Sequence, residues 1–312
     1  MKFAYLFVAL SLLIPAVAFA GDNYADLLRH FEYDIKAPLN VREVGVVSRA
    51  GAKVHDITYV GANGTVPAYL VVPNGNGPFA AVVWGHWMLE GSPFRNRTEF
   101  LDEAIALAES GVVSLLIDAP MVRPGFKDTE PDPIYMRDDV IDLRRGLDLL
   151  LARTDVDQRR TAFVGHSFHA GSGAILSGVD RRVKAFVLMA GGLDTQQFLV
   201  SKAPVLAKIG LDVRERVARM YAEYSWINPC QYVSRAAPAV VLLQNGTRDE
   251  YMTVDDVRHY SECVSNPKTE KMYGTGHELN AKARLDRAEW LRQQLGLKAL
   301  NTAALKSVPP IH

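Results

Sequence analysis

A serine, an aspartate and a histidine, far apart in the 312-residue chain, have the residue types of a nucleophile, an orienting acid and a base. Ser167 follows the apolar run Thr161–Gly165 and precedes a helix-forming segment. A serine hydroxyl is a weak nucleophile until a histidine takes its proton, and a carboxylate must fix the tautomer of that histidine. We therefore predict that Ser167 attacks an acyl carbon, with His277 as base and Asp249 as the orienting acid.

The segment around Ser167 is typical of the sharp strand-to-helix turn that exposes a serine hydroxyl at the end of a buried strand. Gly165 suits this turn because a side chain there would crowd the helix against the strand. His169 occupies the position two residues after the serine, where such turns usually have a second glycine. The alternative is an ordinary strand–loop–helix in which Ser167 only caps the helix.

Asp249 follows the apolar run Val240–Leu243, and His277 follows the short segment Thr269–Tyr273; we predict both to be strands. Open parallel sheets bind their ligands at the carboxyl ends of the strands, so the two side chains and the serine could meet there. Glu250 and Asp194 are the alternative acids. A turn residue is the structural alternative for Asp249, and a residue at a helix start is the alternative for His277.

Acyl transfer also requires N–H donors directed at the negatively charged oxygen of the intermediate. We expect one from the backbone of Phe168 and the other from the loop after an early buried strand, where Trp87 is the prediction and Met88 the alternative. His86 and Met88 are also predicted to contact the substrate. His86 and Trp87 could equally form a structural pair packed beneath the site.

Two kinds of pattern predict the elements that position these side chains. The β-rich runs Val54–Val60 and Pro67–Val72 are joined by an Asn-Gly turn, which predicts an antiparallel hairpin. From Ala80–Gly85 to a closing helix at Asp286–Leu295, apolar runs then alternate with amphipathic segments. This alternation predicts an α/β fold with a mostly parallel sheet covered by helices on both faces.

The first twenty residues and one long segment in the second half of the chain predict how the chain is divided into a leader, a domain and a cap. Residues 1–20 combine Lys2, an apolar run and Ala18-Phe19-Ala20, which predicts a cleavable signal peptide and an exported protein, periplasmic or secreted. A membrane anchor is the alternative, although the run is short for a span of about 20 residues. Residues 21–312 are predicted to form one domain, in which about 192–235 form a small helical cap or, alternatively, two crossover helices.

Charge and cysteine content limit the partners. Basic and acidic residues balance at 35 each, so we expect no nucleic-acid partner and no membrane contact after signal removal. Cys230 and Cys263 could form a disulfide in an oxidising compartment or remain two separate buried thiols. Neither cysteine has a neighbour at metal-ligand spacing, so no metal site is predicted.

On these residues the chain resembles the α/β-hydrolase superfamily, and within it the dienelactone hydrolase-like and acetyl xylan esterase-like branches. The motifs that carry the resemblance are Val71-Val72-Pro73, Val82-Val83-Trp84-Gly85-His86, Asp118-Ala119-Pro120, Asp138-Asp139-Val140-Ile141-Asp142, Gly165-His166-Ser167, Gly246-Thr247-Arg248-Asp249 and Gly274-Thr275-Gly276-His277. The resemblance implies an eight-stranded, mostly parallel sheet, a cofactor-free mechanism through an acyl-enzyme, and small to medium-sized ester substrates. This chain departs from the family pattern at His169 and at Gly85-His86, where many relatives have His-Gly.

Two other functions remain open on sequence grounds. The first is a serine peptidase of the prolyl-oligopeptidase type, which the chain fits less well because it has no large amino-terminal propeller. The second is a binding protein that kept the fold without catalysis, for which His169 would be the sign. The sequence favours a carboxylic-ester hydrolase over both.

Overall fold

The structure, a computed structural model, describes residues 23–130, 132–192, 219 and 222–311. The predicted signal peptide (1–20), most of the predicted cap (192–235) and the alternative acid Asp194 lie outside the described residues. Among the described helices, none has the length and apolarity that a membrane span requires.

The described strands form a single sheet. They are β1 (Arg42–Arg49), β2 (Ala52–Gly61), β3 (Gly64–Pro73), β4 (Phe79–Gly85), β5 (Val112–Ile117), β6 (Val156–His166), β7 (Ala185–Met189), β8 (Val240–Gly246) and β9 (Lys268–Tyr273). Their order is β1-β2-β3-β5-β4-β6-β7-β8-β9. Strands β1 to β3 pair antiparallel, as do β3 and β5, whereas β4 to β9 run parallel to one another. The sheet is therefore mostly parallel with a leading hairpin, as predicted.

The sheet has nine strands instead of the eight expected from the resemblance. The additional strand is β1, which lies at the edge and is exposed along its whole length, including Val44, Val46 and Val47. A strand with no buried face lacks the alternation of apolar and polar residues on which a sequence prediction depends. The hydrophobic pattern therefore begins at β2, whose residues are partly buried.

Helices cover both faces of the sheet. They are α1 (Tyr24–Arg29), α2 (Leu101–Ala108), α3 (Asp132–Leu151), α4 (Phe168–Val179), α5 (Pro229–Val233), α6 (Val254–Cys263), α7 (Ala281–Leu295) and α8 (Thr302–Ser307). Apolar residues of α3 and α4 share one core with the sheet, and those of α2 and α7 share the other. Along β4, Val83 packs into the first core and Val82 and Trp84 into the second, because side chains alternate across a strand.

A disulfide joins Cys230 of α5 to Cys263 at the end of α6, with 5.3 Å between their Cα atoms. The two residues are 33 positions apart in the sequence. Of the two interpretations open from sequence, the structure has the bridge.

Candidate active site

Ser167 lies in the sharp turn between β6, which ends at His166, and α4, which begins at Phe168. Its backbone has φ 53° and ψ −108°, a conformation that costs a non-glycine residue about 1–3 kcal/mol. Glycines make the turn possible: a Cβ on Gly165 would lie 2.4 Å from the carbonyl oxygen of His169, and one on Gly191 would lie 2.2 Å from that of Ser167. The backbone N–H of Ser167 donates to the carbonyl oxygen of Met189 at 2.8 Å.

His169 fills the space that the usual second glycine would leave open. Its ring packs against Gly85 of β4, where a Cβ would lie only 2.3 Å from the ring. The Nδ1–H donates to the carbonyl oxygen of His86 at 2.5 Å, and Nε2 lies 3.2 Å from Oδ1 of Asp139 on α3. Burial opposes the charged form of His169, but the interaction with Asp139 and the hydrogen bond to His86 together outweigh burial and raise the pKa of the ring.

Asp249 and His277 come together at the carboxyl ends of β8 and β9. The Nδ1–H of His277 donates to Oδ2 of Asp249 at 2.8 Å, and both side chains are almost fully buried. Backbone N–H groups of Tyr251 and Met252 donate to the other carboxylate oxygen at 2.8 and 3.1 Å. Burial opposes ionisation of Asp249, yet the hydrogen bond from His277 and the two backbone donors hold its pKa below the ordinary value.

This hydrogen bond orients the ring of His277. Because Nδ1 carries the proton, Nε2 is left as the basic nitrogen, which is the tautomer that a general base requires. The rival Glu250 is exposed, and its side chain makes no hydrogen bond to His277. Asp249 is therefore the acid that the structure pairs with the histidine.

Ser167 and His277 lie on neighbouring loops and line different cavities. His166, next to Ser167, brings its Nε2 to 2.9 Å from the carbonyl oxygen of His277, so the two loops are in contact. No hydrogen bond between the Ser167 hydroxyl and the His277 ring occurs within the described structure. Such bonds are often long without substrate and shorten when it binds.

The loop after β4 corrects the prediction for the second oxyanion donor. The backbone N–H of Trp87 donates to Oε2 of Glu99 at 2.6 Å, so this N–H is not free to bind an oxyanion. The next residue, Met88, lines the same cavity as Ser167 and Phe168. Its N–H makes no hydrogen bond to any other described residue. Phe168 is the first residue of α4, so its N–H has no partner within the helix.

The structure also corrects the prediction that His86 binds substrate. Its Nδ1–H donates to the carbonyl oxygen of Trp87 at 2.6 Å, and its Nε2 accepts the N–H of Ala119 at 3.0 Å. Burial, followed by the nearby charge of His169, holds the pKa of His86 well below its ordinary value. With both nitrogens occupied and only 1% of the residue exposed, His86 is a structural residue beneath the site.

A cavity of about 580 Å³ opens beside Ser167. Its walls are mainly apolar and aromatic, with charged groups supplied by Arg95, Asp128 and Asp132. The apolar and aromatic residues that line it are Met88, Met121, Phe126, Pro133, Tyr135, Met136, Phe168, Tyr224, Ile227 and Pro229. In the part of the chain that the structure describes, no group of three or more His, Cys, Asp or Glu side chains could hold a metal ion.

Two buried carboxylates near the site were not predicted. Asp139 lies four residues before Leu143, on the apolar face of α3. A carboxylate among buried apolar residues indicates a buried partner, which here is His169. Glu99 precedes α2 and stands four residues before Glu103, which is also buried. Its contacts with Trp87 and His166 depend on the loops of other strands, so the sequence carries little sign of them.

Comparison with known proteins identifies the fold. The chain matches no protein-family model and no curated protein. Among solved structures, it is similar to an acetyl xylan esterase from Paenibacillus sp. R4, with a TM-score of 0.68 and 20% identity over 88% of this chain and 93% of that one. Acetyl xylan esterase 1 from Thermoanaerobacterium sp. JW/SL YS485 gives a TM-score of 0.70 and 13% identity, over 88% and 94%.

A cold-adapted esterase from an Arctic intertidal metagenomic library is also similar, with a TM-score of 0.57 and 15% identity over 80% of this chain and 97% of that one. At these identities the likeness concerns the fold alone. It confirms the α/β-hydrolase fold predicted from the sequence.

Proposed function

We propose that this chain, which has the α/β-hydrolase fold, is a serine hydrolase that cleaves carboxylic esters of small to medium-sized substrates. The observation that carries the proposal is the buried Asp249–His277 hydrogen bond at the sheet edge where Ser167 opens into a cavity. The similar solved structures include esterases, which favours ester bonds over the peptide bonds of the alternative peptidase.

In the first step, the hydroxyl of Ser167 attacks the acyl carbon of the substrate, and Nε2 of His277 accepts the hydroxyl proton. Asp249, held ionised by its donors, stabilises the imidazolium that forms. The N–H groups of Met88 and Phe168 bind the oxyanion of the tetrahedral intermediate. His277 then donates its proton to the leaving alcohol, and the acyl group remains on Ser167.

In the second step, water attacks the acyl-enzyme while His277 accepts a proton from it. The intermediate collapses, the carboxylic acid is released and the serine hydroxyl regains its proton from His277. The cavity beside Ser167 holds the substrate, and its apolar walls suit an uncharged organic group. Both steps require that the Ser167 hydroxyl reaches the His277 ring when substrate is bound.

The proposal includes export of the protein. The signal-like residues 1–20 and the Cys230–Cys263 disulfide support a location in an oxidising compartment, periplasmic or extracellular. Mass spectrometry of the protein from a culture that expresses the full chain would test this, since cleavage after Ala20 gives a mature chain beginning at Gly21.

Replacement of Ser167 tests the chemistry. In Ser167→Ala we expect turnover of p-nitrophenyl acetate to fall by about 10⁶-fold, the loss typical of removing a serine nucleophile. A fluorophosphonate probe should label the wild-type protein and not this variant. Ser172→Ala is the matched control, because Ser172 is a buried serine of α4 that does not line the cavity. Undiminished hydrolysis or labelling in Ser167→Ala would refute the proposal, and a panel of peptide amides would show whether the enzyme is instead a peptidase.

A further inference from the structure

Glu99 connects two of the loops that form the candidate site. Its side chain is fully buried between the loop after β4 and the end of β6. One carboxylate oxygen accepts the backbone N–H of Trp87 at 2.6 Å, and the other lies 2.6 Å from Nδ1 of His166. Loss of either bond would be costly, because it would leave a buried polar group without a partner.

His166 extends this connection to the third loop. Its Nε2 lies 2.9 Å from the carbonyl oxygen of His277. A carbonyl oxygen only accepts hydrogen bonds, so the Nε2–H of His166 donates to it. The ring also lies between those of Trp87 and His277, with centroids at 5.1 and 5.3 Å. Both oxygens of Glu99 and both ring nitrogens of His166 therefore have hydrogen-bond partners.

We infer that Glu99 and His166 are positioning residues. They fix the relative positions of three segments: the loop after β4 that carries Met88, the turn of Ser167 and the loop of His277. The inference rests on the proposed function. Each of these segments contains a residue of the proposed chemistry. Trp87, which bonds to Glu99, precedes Met88, and His166 precedes Ser167. The carbonyl group that His166 contacts is that of His277 itself.

This role predicts an effect on turnover and little effect on substrate binding. Neither Glu99 nor His166 lines the cavity beside Ser167, so a change in them removes no substrate contact. A shift of catalytic groups by about 1 Å can reduce the rate by about 10²-fold. We therefore expect kcat to fall while KM stays within about threefold.

Two variants of Glu99 separate side-chain length from charge. Glu99→Gln keeps the length: its amide oxygen can accept the Trp87 N–H, its NH₂ can donate to Nδ1 of a neutral His166, and Nε2–H of His166 can still donate to His277. Glu99→Asp keeps the carboxyl group but is one methylene shorter, so it cannot reach both the Trp87 N–H and the His166 ring. Positioning predicts that Glu99→Gln retains kcat within about threefold and that Glu99→Asp loses about 10²-fold.

His166→Asn gives a second route to the same result. The asparagine amide can still donate to Glu99 but is too short to reach the carbonyl oxygen of His277, so we expect a comparable fall in kcat. Glu103→Gln is the matched control, because Glu103 is a buried carboxylate of α2 that pairs with Arg287 and makes no hydrogen bond to Trp87, His166 or His277. It should lower the thermal unfolding temperature and leave kcat unchanged.

The experiment measures kcat and KM with p-nitrophenyl acetate and the rate of fluorophosphonate labelling, together with thermal unfolding. If Glu99→Asp and His166→Asn keep the wild-type kcat, or if Glu99→Gln is as slow as Glu99→Asp, the positioning role is wrong. These outcomes leave the proposed function intact as long as the probe labels wild-type protein and not Ser167→Ala. Absence of labelling in the wild type would instead overturn the proposed function, and the positioning role with it.

Discussion

His169 and Gly85 both depart from the usual pattern of the family, and they are in direct contact: the ring of His169 fills the space beside Gly85. A glycine two residues after the serine would have no ring for β4 to accommodate. Here the ring of His169 lies where a Cβ on residue 85 would stand. The glycine at the end of β4 and the histidine at the start of α4 therefore compensate each other. His169 also contacts the backbone of His86 and the carboxylate of Asp139, so its ring has a packing role beside Ser167.

A double-mutant cycle tests this compensation. We expect Gly85→Ala to lower the free energy of unfolding by about 1–3 kcal/mol, because the new methyl group overlaps the ring. His169→Ala should cost about 3–5 kcal/mol, since it leaves Asp139 buried without its partner. The double variant should lose less than the sum, as measured by urea unfolding. Additivity within about 0.5 kcal/mol would show that the two positions are independent.

The oxyanion assignment is also a prediction about single residues. Met88→Pro removes the backbone N–H, and we expect kcat to fall by about 10²–10³-fold, the usual effect of losing one oxyanion donor. Met88→Ala, the control, keeps the N–H and should change mainly KM, because the side chain lines the cavity. Both are compared with p-nitrophenyl acetate after circular dichroism has shown that they are folded. Equal kcat values for the two variants would exclude Met88 as a donor.

At the scale of elements, α5 shows how a short helix is maintained. With five residues, Pro229–Val233, it is far below the length at which an isolated helix is stable. Its Tyr232 is fully buried, and a Cβ on Gly178 of α4 would lie 2.7 Å from the Tyr232 carbonyl oxygen, so the two helices are in close contact. The disulfide from Cys230 then ties α5 to α6. Packing and a covalent link replace intrinsic helix stability.

Removal of the disulfide should therefore reduce stability. The cysteines are 33 positions apart, and a crosslink that closes a loop of this length destabilises the unfolded state by about 3–4 kcal/mol. We expect the double variant Cys230→Ala/Cys263→Ala to lose about that amount in urea unfolding. Wild-type protein unfolded with a reductant present should match it. If reductant leaves wild-type stability unchanged, the bridge contributes nothing to the fold.

At the scale of the whole molecule, Asp142 of α3 joins the β2–β3 turn to the segment after β5 through buried contacts. Asp142 accepts the N–H of Ala62, in the turn between β2 and β3, at 2.6 Å. Its other oxygen lies 2.6 Å from the guanidinium of Arg123, which follows β5. Arg123 is therefore committed to this ion pair. Burial raises the pKa of Asp142 to about 6, while Arg123 opposes that rise.

This shift makes stability depend on pH. Because the folded state binds a proton at Asp142 near pH 6 and the unfolded state only near 3.9, native protein gains stability as pH falls between those values. We expect the free energy of unfolding of wild type, relative to Asp142→Asn, to be about 2 kcal/mol higher at pH 4.5 than at pH 7. Urea unfolding of both proteins at the two pH values measures this. Parallel pH curves would mean that Asp142 titrates normally.

Local sequence was sufficient for the features that depend on the neighbours of a residue along the chain. The strand Ala80–Gly85 was predicted to within one residue of its observed bounds, Phe79–Gly85, because a continuous apolar run identifies a buried strand. The strand-to-helix turn at Ser167 and the strand ends that carry Asp249 and His277 follow from the same alternation of elements. The α/β fold could be predicted for this reason.

Only the tertiary structure decided which polar groups already have a hydrogen-bond partner within the protein. The N–H of Trp87 meets Glu99 twelve residues away, and the ring of His86 meets Ala119 thirty-three residues away, so neither is free for the substrate. The pattern of apolar residues likewise could not predict the exposed strand β1 or the packing of the His169 ring against Gly85. Periodicity reports which face of an element is buried, whereas the hydrogen-bond partner of a buried group comes from another part of the chain and is determined only when the loops have packed.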